Sequence, residues 1–223
     1  SNLHENNRLE AVIEFDPDIY DVKYLMQSSM EIKTLNIDGI PDIYDVFSDK
    51  RTTYVSTEFV EGMSLVEYLN EYEVQYEDKI QIVNIIGTAV SYIHKHMKET
   101  LYDRIEPNNI LVTEAGLVYL LEYGFTKYMK RDALYKVTCN KYIAPELQEY
   151  FDVTRVLDMR SDVYSFGALM YYIITEKKPN KNTILADDLD VNMKKIVFKA
   201  MAQRLEDRYN SIAEILEDVE KCI

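Results

Sequence analysis

Glycine is scarce in this chain, and it comes late: there are six in 223 residues, and the first is Gly39. A phosphate cradle of glycine-rich backbone, whose amides approach an anion because no side chain obstructs them, therefore has no place before that point. Cysteine is rarer still. Cys139 and Cys222 are too few for a disulfide framework and lack metal-site spacing, so a reducing cytoplasm is the simplest setting. Basic residues are outnumbered, with 25 Lys and Arg against 39 Asp and Glu, and the net charge is −14 with no basic cluster. That balance argues against nucleic acid or an anionic membrane surface as a partner. It also disfavours a polyanionic nucleotide unless a metal or a local basic pocket compensates. The longest nearly uncharged apolar run, Val163 to Ile174, is too short to cross a bilayer. No signal peptide is visible, and flanking domains or an anchor outside these residues stay open.

What is present suits a folded domain. Hydrophobic residues make up 47% and charged residues 29%, with no low-complexity tract. The length fits one large domain or two small packed lobes. Leu9 to Phe15 reads as a strand ending at Asp16-Pro17, and Ile19 to Ile37 carries apolar residues at helical spacing. Ile43 to Phe47 and Thr52 to Val60 read as a hairpin around Ser48-Asp49-Lys50-Arg51. After Glu61-Gly62-Met63-Ser64 the pattern turns helical. Ser64 to Tyr72 is a short helix, and Tyr76 to Met97 places Ile82, Ile85, Ile86, Ala89 and Ile93 on one face. Ile110 to Thr113 and Leu117 to Leu121 flank Glu114-Ala115-Gly116 as a short hairpin. Ser161 to Thr175 is apolar nearly all round, which predicts a surrounded helix, and Val191 to Ala202 and Ser211 to Lys221 are the closing helices.

Six stretches then stand out by their order. Met30-Glu31-Ile32 precedes Ile40-Pro41-Asp42-Ile43; Leu101-Tyr102-Asp103-Arg104-Ile105-Glu106-Pro107-Asn108-Asn109-Ile110-Leu111-Val112 follows the long helix; Glu122-Tyr123-Gly124 follows a strand. Tyr142-Ile143-Ala144-Pro145-Glu146, Ser161-Asp162-Val163-Tyr164-Ser165-Phe166-Gly167 and Asp207-Arg208-Tyr209-Asn210-Ser211 complete the series. Over roughly residues 11 to 220 this series resembles the eukaryotic-type Ser/Thr protein kinase family, in a degenerate form. The resemblance implies an α+β, two-lobe fold: a reduced, strand-rich N-lobe over residues 3–60 and a mainly helical C-lobe over 61–223, together one kinase-like domain. It also implies architectural roles. Glu146 and Arg208 would form an ion pair tying the activation segment to the last helices, and Asp162 would brace backbone near the catalytic loop.

The chemistry that the resemblance calls for is where the residues depart. Pro107-Asn108-Asn109-Ile110-Leu111 fixes the register of the family's His-Arg-Asp-Leu-Lys-x-x-Asn loop. Arg104 then stands at the catalytic Asp and Glu106 at the Lys, and an arginine that never loses its proton is no general base. A one-residue bulge would instead bring Asp103 to the base position. Ala11-Val12-Ile13-Glu14 resembles the family's Val-Ala-Ile-Lys with Glu14 in place of the phosphate-binding lysine, and Lys23 is too close to Glu31 to replace it. Glu31, Glu58 and Val60 are the positions expected to border a nucleotide cleft. Asn109 and Glu122 are the candidate metal ligands, although Asn109 serves equally to bond loop backbone, and Glu122, one methylene longer than Asp, serves equally as a solvated turn residue. Thr138-Cys139-Asn140 departs from the family's Gly-Thr-x before the Ala-Pro-Glu end.

Phosphoryl transfer asks a protein mainly for positioning and for neutralisation of phosphate charge. With those parts reversed or missing, the expectation is a pseudokinase acting as a protein-interaction or regulatory scaffold, without catalytic residues or a required cofactor. ATP with Mg²⁺ or Mn²⁺ stays open through two alternatives, a divergent kinase with weak or atypical phosphotransfer and a nucleotide-gated switch without catalysis. The partners would be proteins, in the cytoplasm.

Overall fold

The computed structural model describes residues 9–49, 52–97, 105–121, 141–149, 158–180 and 189–223. The chain begins with a three-stranded antiparallel sheet, β1 (Glu10–Phe15), β2 (Ile43–Asp49) and β3 (Thr52–Glu58), in the order β1-β3-β2. Period-two alternation assigns its faces. In β1, Ala11, Ile13 and Phe15 point inward, opposite Thr57, Val55 and Thr53 of β3. Glu10, Val12 and Glu14 point the other way and are exposed. The inner face is covered by α1 (Val22–Lys33), which buries Leu25, Ser29 and Ile32. The buried Ser29 hydroxyl is satisfied by the Leu25 carbonyl one turn back, at 2.9 Å.

The helix α1 is shorter than its apolar spacing predicts. At its start the amides of Ile19 and Tyr20 bond the Asp16 carbonyl, and the Asp16 side chain accepts from the Asp18 amide, so Asp16-Pro17-Asp18 forms a turn. At its end Thr34 and Leu35 close a last 3₁₀-type turn on Glu31 and Ile32, and Asn36 takes a left-handed φ of 43° that helix cannot continue through.

Glu58 leads into a short connector and a second small sheet, β4 (Met63–Ser64), β5 (Ile110–Val112) and β6 (Val118–Leu120), in the order β4-β5-β6. Gly62 is required for this step: a Cβ there would stand 2.7 Å from the Val112 carbonyl oxygen. Ser64 caps α2 (Leu65–Glu71) with a reciprocal pair, its hydroxyl accepting from the Glu67 amide and the Glu67 carboxylate accepting from the Ser64 amide.

The helices that follow form the larger core. In α3 (Tyr76–His96), acidic residues fill the first turn and basic ones the last, matching the helix dipole. Ile82, Ile86, Ala89 and Ile93 are buried as the spacing predicts, but Ile85 is 40% exposed. The apolar stripe is wider than the surface that covers it. After α4 (Pro145–Glu149), the helix α5 (Arg160–Thr175) is buried on nearly every face and packs against α3, α6 (Val191–Ala200) and α7 (Ile212–Glu220). Asp190 and Ser211 cap α6 and α7 through their side-chain oxygens. An ion pair of 2.6 Å joins Lys79 of α3 to Glu176, just past the end of α5.

At the crossing of α5 and α6, a Cβ on Gly167 would meet the Ala200 Cβ at 2.6 Å. Gly167→Val is expected to lower the unfolding free energy by about 1–3 kcal/mol through overpacking, read as a shift of the urea midpoint. Gly116→Asn, at a φ of 76° with open space around it, is expected to stay within about 0.5 kcal/mol of wild type.

Candidate functional site

The loop that carries the family's chemistry is described from Ile105 onward, and Asp103, Arg104 and Glu122 lie outside the described residues, as do Thr138-Cys139-Asn140. Pro107 to Asn109 forms a single 3₁₀ turn, with Pro at its first position, where a missing amide costs nothing. Ile105 and Pro107 are buried, which fixes the turn against the core. Asn109 is buried too. Its amide bonds the Glu106 carbonyl at 3.0 Å, its carbonyl accepts from Leu121 at 2.7 Å, and its side-chain Nδ2 donates to Glu106 Oε1 at 3.3 Å. The Glu106 carboxylate, expected at the family's lysine position, is thus engaged with Asn109, the expected metal-binding asparagine. A carboxylate accepts and cannot donate, so Glu106 offers a phosphate no hydrogen bond.

Glu106 also sits close enough to Tyr142 to act on it. Burial first, then Tyr172 and Glu106, pushes the Tyr142 phenol above its ordinary range. Tyr142 packs edge-on against Tyr172 with ring centroids 6.2 Å apart. The start of the Ala144-Pro145-Glu146 stretch therefore lies against both the loop and α5.

Glu31, Glu58 and Val60 lie on α1, at the end of β3 and on the connector. Glu31 lies exposed on α1 and accepts from Gln27 at 3.1 Å; among the described residues no lysine or arginine bonds it. Glu14 is exposed on β1, opposite Tyr54 of β3, on the face away from α1. Lys23 lies on α1 itself, as its nearness to Glu31 implies. Glu58 closes β3, where its amide bonds the Asp42 carbonyl at 2.8 Å and its carboxylate accepts a long 3.4 Å bond from the Asp42 amide. That carboxylate is directed to the segment before β2. Val60 is half-buried on the connector. Among the described residues no group of His, Cys, Asp and Glu is disposed to hold a metal ion, and no helix is long and apolar enough to cross a membrane.

Two buried polar clusters brace this region. Asp162, fully buried in the first turn of α5, meets His94 of α3 at 2.8 Å. Sequence reasoning missed His94 as its partner. The available signal was its position four residues after Val90 on the buried stripe of α3, where a polar side chain needs a bond. The second cluster centres on Arg208. Its guanidinium donates to both Glu146 oxygens at 2.7 Å, to the carbonyls of Ala202 at 2.8 Å and Arg160 at 2.9 Å, and to Gln203 at 3.2 Å. Every N–H of the guanidinium is engaged. Ser161 donates to Glu146 Oε1 at 2.7 Å, and the Tyr164 ring lies 5.0 Å from the guanidinium carbon. The ion pair expected between Glu146 and Arg208 is observed, with more backbone attached to it than the sequence suggested.

Burial alone would raise the Glu146 carboxyl; the bonds from Arg208 and Ser161 outweigh it and hold the group below the usual carboxylate range. A depressed folded value gives stability that is complete above the ordinary value of about 4.5 and is lost as pH falls through the folded value. The stability difference between wild type and Glu146→Gln, from urea unfolding at stepped pH, is expected to be largest near neutrality and to shrink below that value. Arg208→Ala is expected to cost about 3–5 kcal/mol at neutral pH, because it strands a buried carboxylate.

Comparison with known proteins agrees with this geometry. The family described as Protein kinase domain matches residues 16–223. A probable serine/threonine-protein kinase of Clostridium acetobutylicum is 25% identical over 88% of this chain and 32% of its own length. The probable serine/threonine-protein kinase PknB of Lactococcus lactis is 24% identical, over 85% of this chain and 32% of the relative. The human ankyrin repeat and protein kinase domain-containing protein 1 is 24% identical, over 90% of this chain and 26% of the relative. The chain spans about a third or less of the length of these relatives. The match over most of the chain, the intact Glu146–Arg208 tie and the buried helix α5 make this chain a member of the protein kinase domain family.

Proposed function

We propose that this domain is a pseudokinase, a kinase-like scaffold for protein partners in the cytoplasm that needs neither nucleotide nor metal. The observation that carries this reading is the bond between Glu106 and Asn109: a carboxylate occupies the place of a phosphate-binding cation and is engaged with the loop's asparagine. About 4 Å from a unit phosphate charge, at the effective dielectric typical of a protein surface, exchanging a lysine for a glutamate turns about 4 kcal/mol of attraction into repulsion of the same size. Glu14 has the same sign at a second phosphate-contacting position, Arg104 replaces the base, and no glycine precedes Gly39. The carboxylates and the missing glycines work against phosphate binding, and Arg104 works against proton removal from a substrate hydroxyl.

The similarity to probable serine/threonine-protein kinases favours one competing reading, a kinase; in this chain it would be a divergent one that uses Asp103 or Glu122 with Mn²⁺. The two are separated by incubating the purified chain with radiolabelled ATP and Mg²⁺ or Mn²⁺. The scaffold reading expects no transfer to the protein or to generic Ser/Thr substrates. It also expects no rise in melting temperature, whereas a native-state ligand at a hundredfold excess over its Kd stabilises by about 2.7 kcal/mol. Transfer that disappears in Asp103→Ala would overturn the reading in favour of the divergent enzyme. Metal-dependent stabilisation without transfer would overturn it in favour of a nucleotide-gated switch.

A further inference from the structure

One open space among the described residues borders none of the positions expected at a nucleotide cleft. It is a groove of about 390 Å³ between the segment that follows α1 and the outer face of α3, with Ile37, Ile85, Ala89 and Tyr92 as its apolar lining and Asp38 on its rim. Ile85 and Tyr92 are each 40% exposed, although Ile85 belongs by spacing to the buried stripe of α3. The volume falls near the lower end of the range for ligand sites, and Asn36, Asn84 and Thr88 add polar groups beside Asp38.

The wall opposite α3 is held rigidly. Asn36 and Gly39 both adopt left-handed backbone, at φ of 43° and 81°. The Gly39 carbonyl accepts from the Leu120 amide of β6 at 2.8 Å, Ile40 bonds back to Ile37, and Ile40 itself is buried. A groove fixed in this way loses little conformational freedom when something binds.

The same segment carries a concentration of negative charge. Asp42 and Glu58 are bonded to each other, the Glu58 amide to the Asp42 carbonyl and the Asp42 amide to the Glu58 carboxylate, and Asp38 lies four residues before Asp42; burial first and then these three carboxylates raise the Tyr119 phenol of β6. Asp38 is common to this cluster and to the groove rim, so apolar floor and acidic edge form one continuous surface. Lys33 of α1 stands beside the same segment, lining a smaller hollow with Ile37 and Asp42, and its ammonium donates to the Tyr44 carbonyl; at the far end Tyr92 stacks on His96 with ring centroids 4.0 Å apart and Lys95 is exposed.

We infer that this groove docks a basic amphipathic segment of a protein partner, its aliphatic side chains seated between Ile37, Ile85 and Tyr92 and its Lys or Arg residues meeting Asp38, Asp42 and Glu58. The occupant follows from complementarity. Anionic lipid and nucleic acid are repelled by the rim and by a net charge of −14. A second copy in a two-fold contact would set the acidic edge close to its own image. Apolar anchors on one helical face with cations beside them is an established mode of groove recognition, in which the anchors supply affinity and the charges supply approach rate and orientation. The inference goes beyond the cleft: an active kinase carries such a groove as readily as a scaffold does, so this test and the phosphotransfer assay fail independently.

The test is a methyl-resonance titration of the full 223-residue chain, labelled at isoleucine, with two short synthetic peptides. One has leucines on one helical face and lysines on the other; its counterpart has glutamates for the lysines. The expected result is a shift of the Ile37 and Ile85 methyls by the lysine peptide alone. Binding should weaken by about tenfold in Asp38→Asn/Asp42→Asn and on raising salt well above the physiological level. Ile85→Lys, at an exposed position that leaves the fold intact, should abolish it. Equal response to both peptides, or no response at Ile37 and Ile85 up to about 1 mM, overturns the inference. A concentration-dependent shift at Ile85 without peptide assigns the groove to a second copy and overturns it as well.

Discussion

Arg208 is the point at which the helical part of this fold is tied. One side chain bonds the Glu146 carboxylate at the start of α4, the Arg160 carbonyl at the start of α5, and the Ala202 and Gln203 carbonyls after α6. These segments are far apart in sequence and none is held there by a β ladder. A buried ion pair contributes little net stability over an apolar pair of the same shape, yet it is expensive to half-remove. Its consequence is register: only one arrangement of the segments satisfies the carboxylate, the guanidinium and the backbone carbonyls together. Asp162 and His94 act in the same way between α5 and α3.

This division between framework and chemistry explains how a kinase-like fold can carry the charge changes proposed for its site. The framework rests on apolar burial around α5 and on polar groups that bond inside the protein, none of which needs a ligand. The chemistry would rest on charges that face a ligand. Those charges are free to change sign without disturbing the core, because Glu14 is exposed and Glu106 finds a local partner in Asn109. Folding constrains the first set strongly and the second weakly.

The same distinction sets what the sequence reveals. Buried helices were legible because burial imposes period 3.6 on them, and α2 because Ser64 and Glu67 form a capping box. The Glu146–Arg208 tie was legible because its residues sit in recognisable stretches. The ends of α1 were not, since the Asp16 turn and the left-handed Asn36 override an apolar spacing that runs past both. Ile85 misled because periodicity states which face a residue shares and is silent on whether anything covers that face. His94 was missed because its partner lies on another helix, and the bond between Glu58 and Asp42 likewise depends on tertiary approach. Pairings between distant segments carry no local signal.

Under the proposed scaffold function, this kinase-like framework meets phosphate with carboxylates where the family has cations. Calorimetric titration of ATP with Mn²⁺ into wild type and into a variant carrying Glu14→Lys and Glu106→Lys is the decisive measurement. The account predicts no binding heat for wild type and measurable binding for the charge-restored variant. Binding to wild type as tight as to the variant, competitive with other nucleotides, would contradict it.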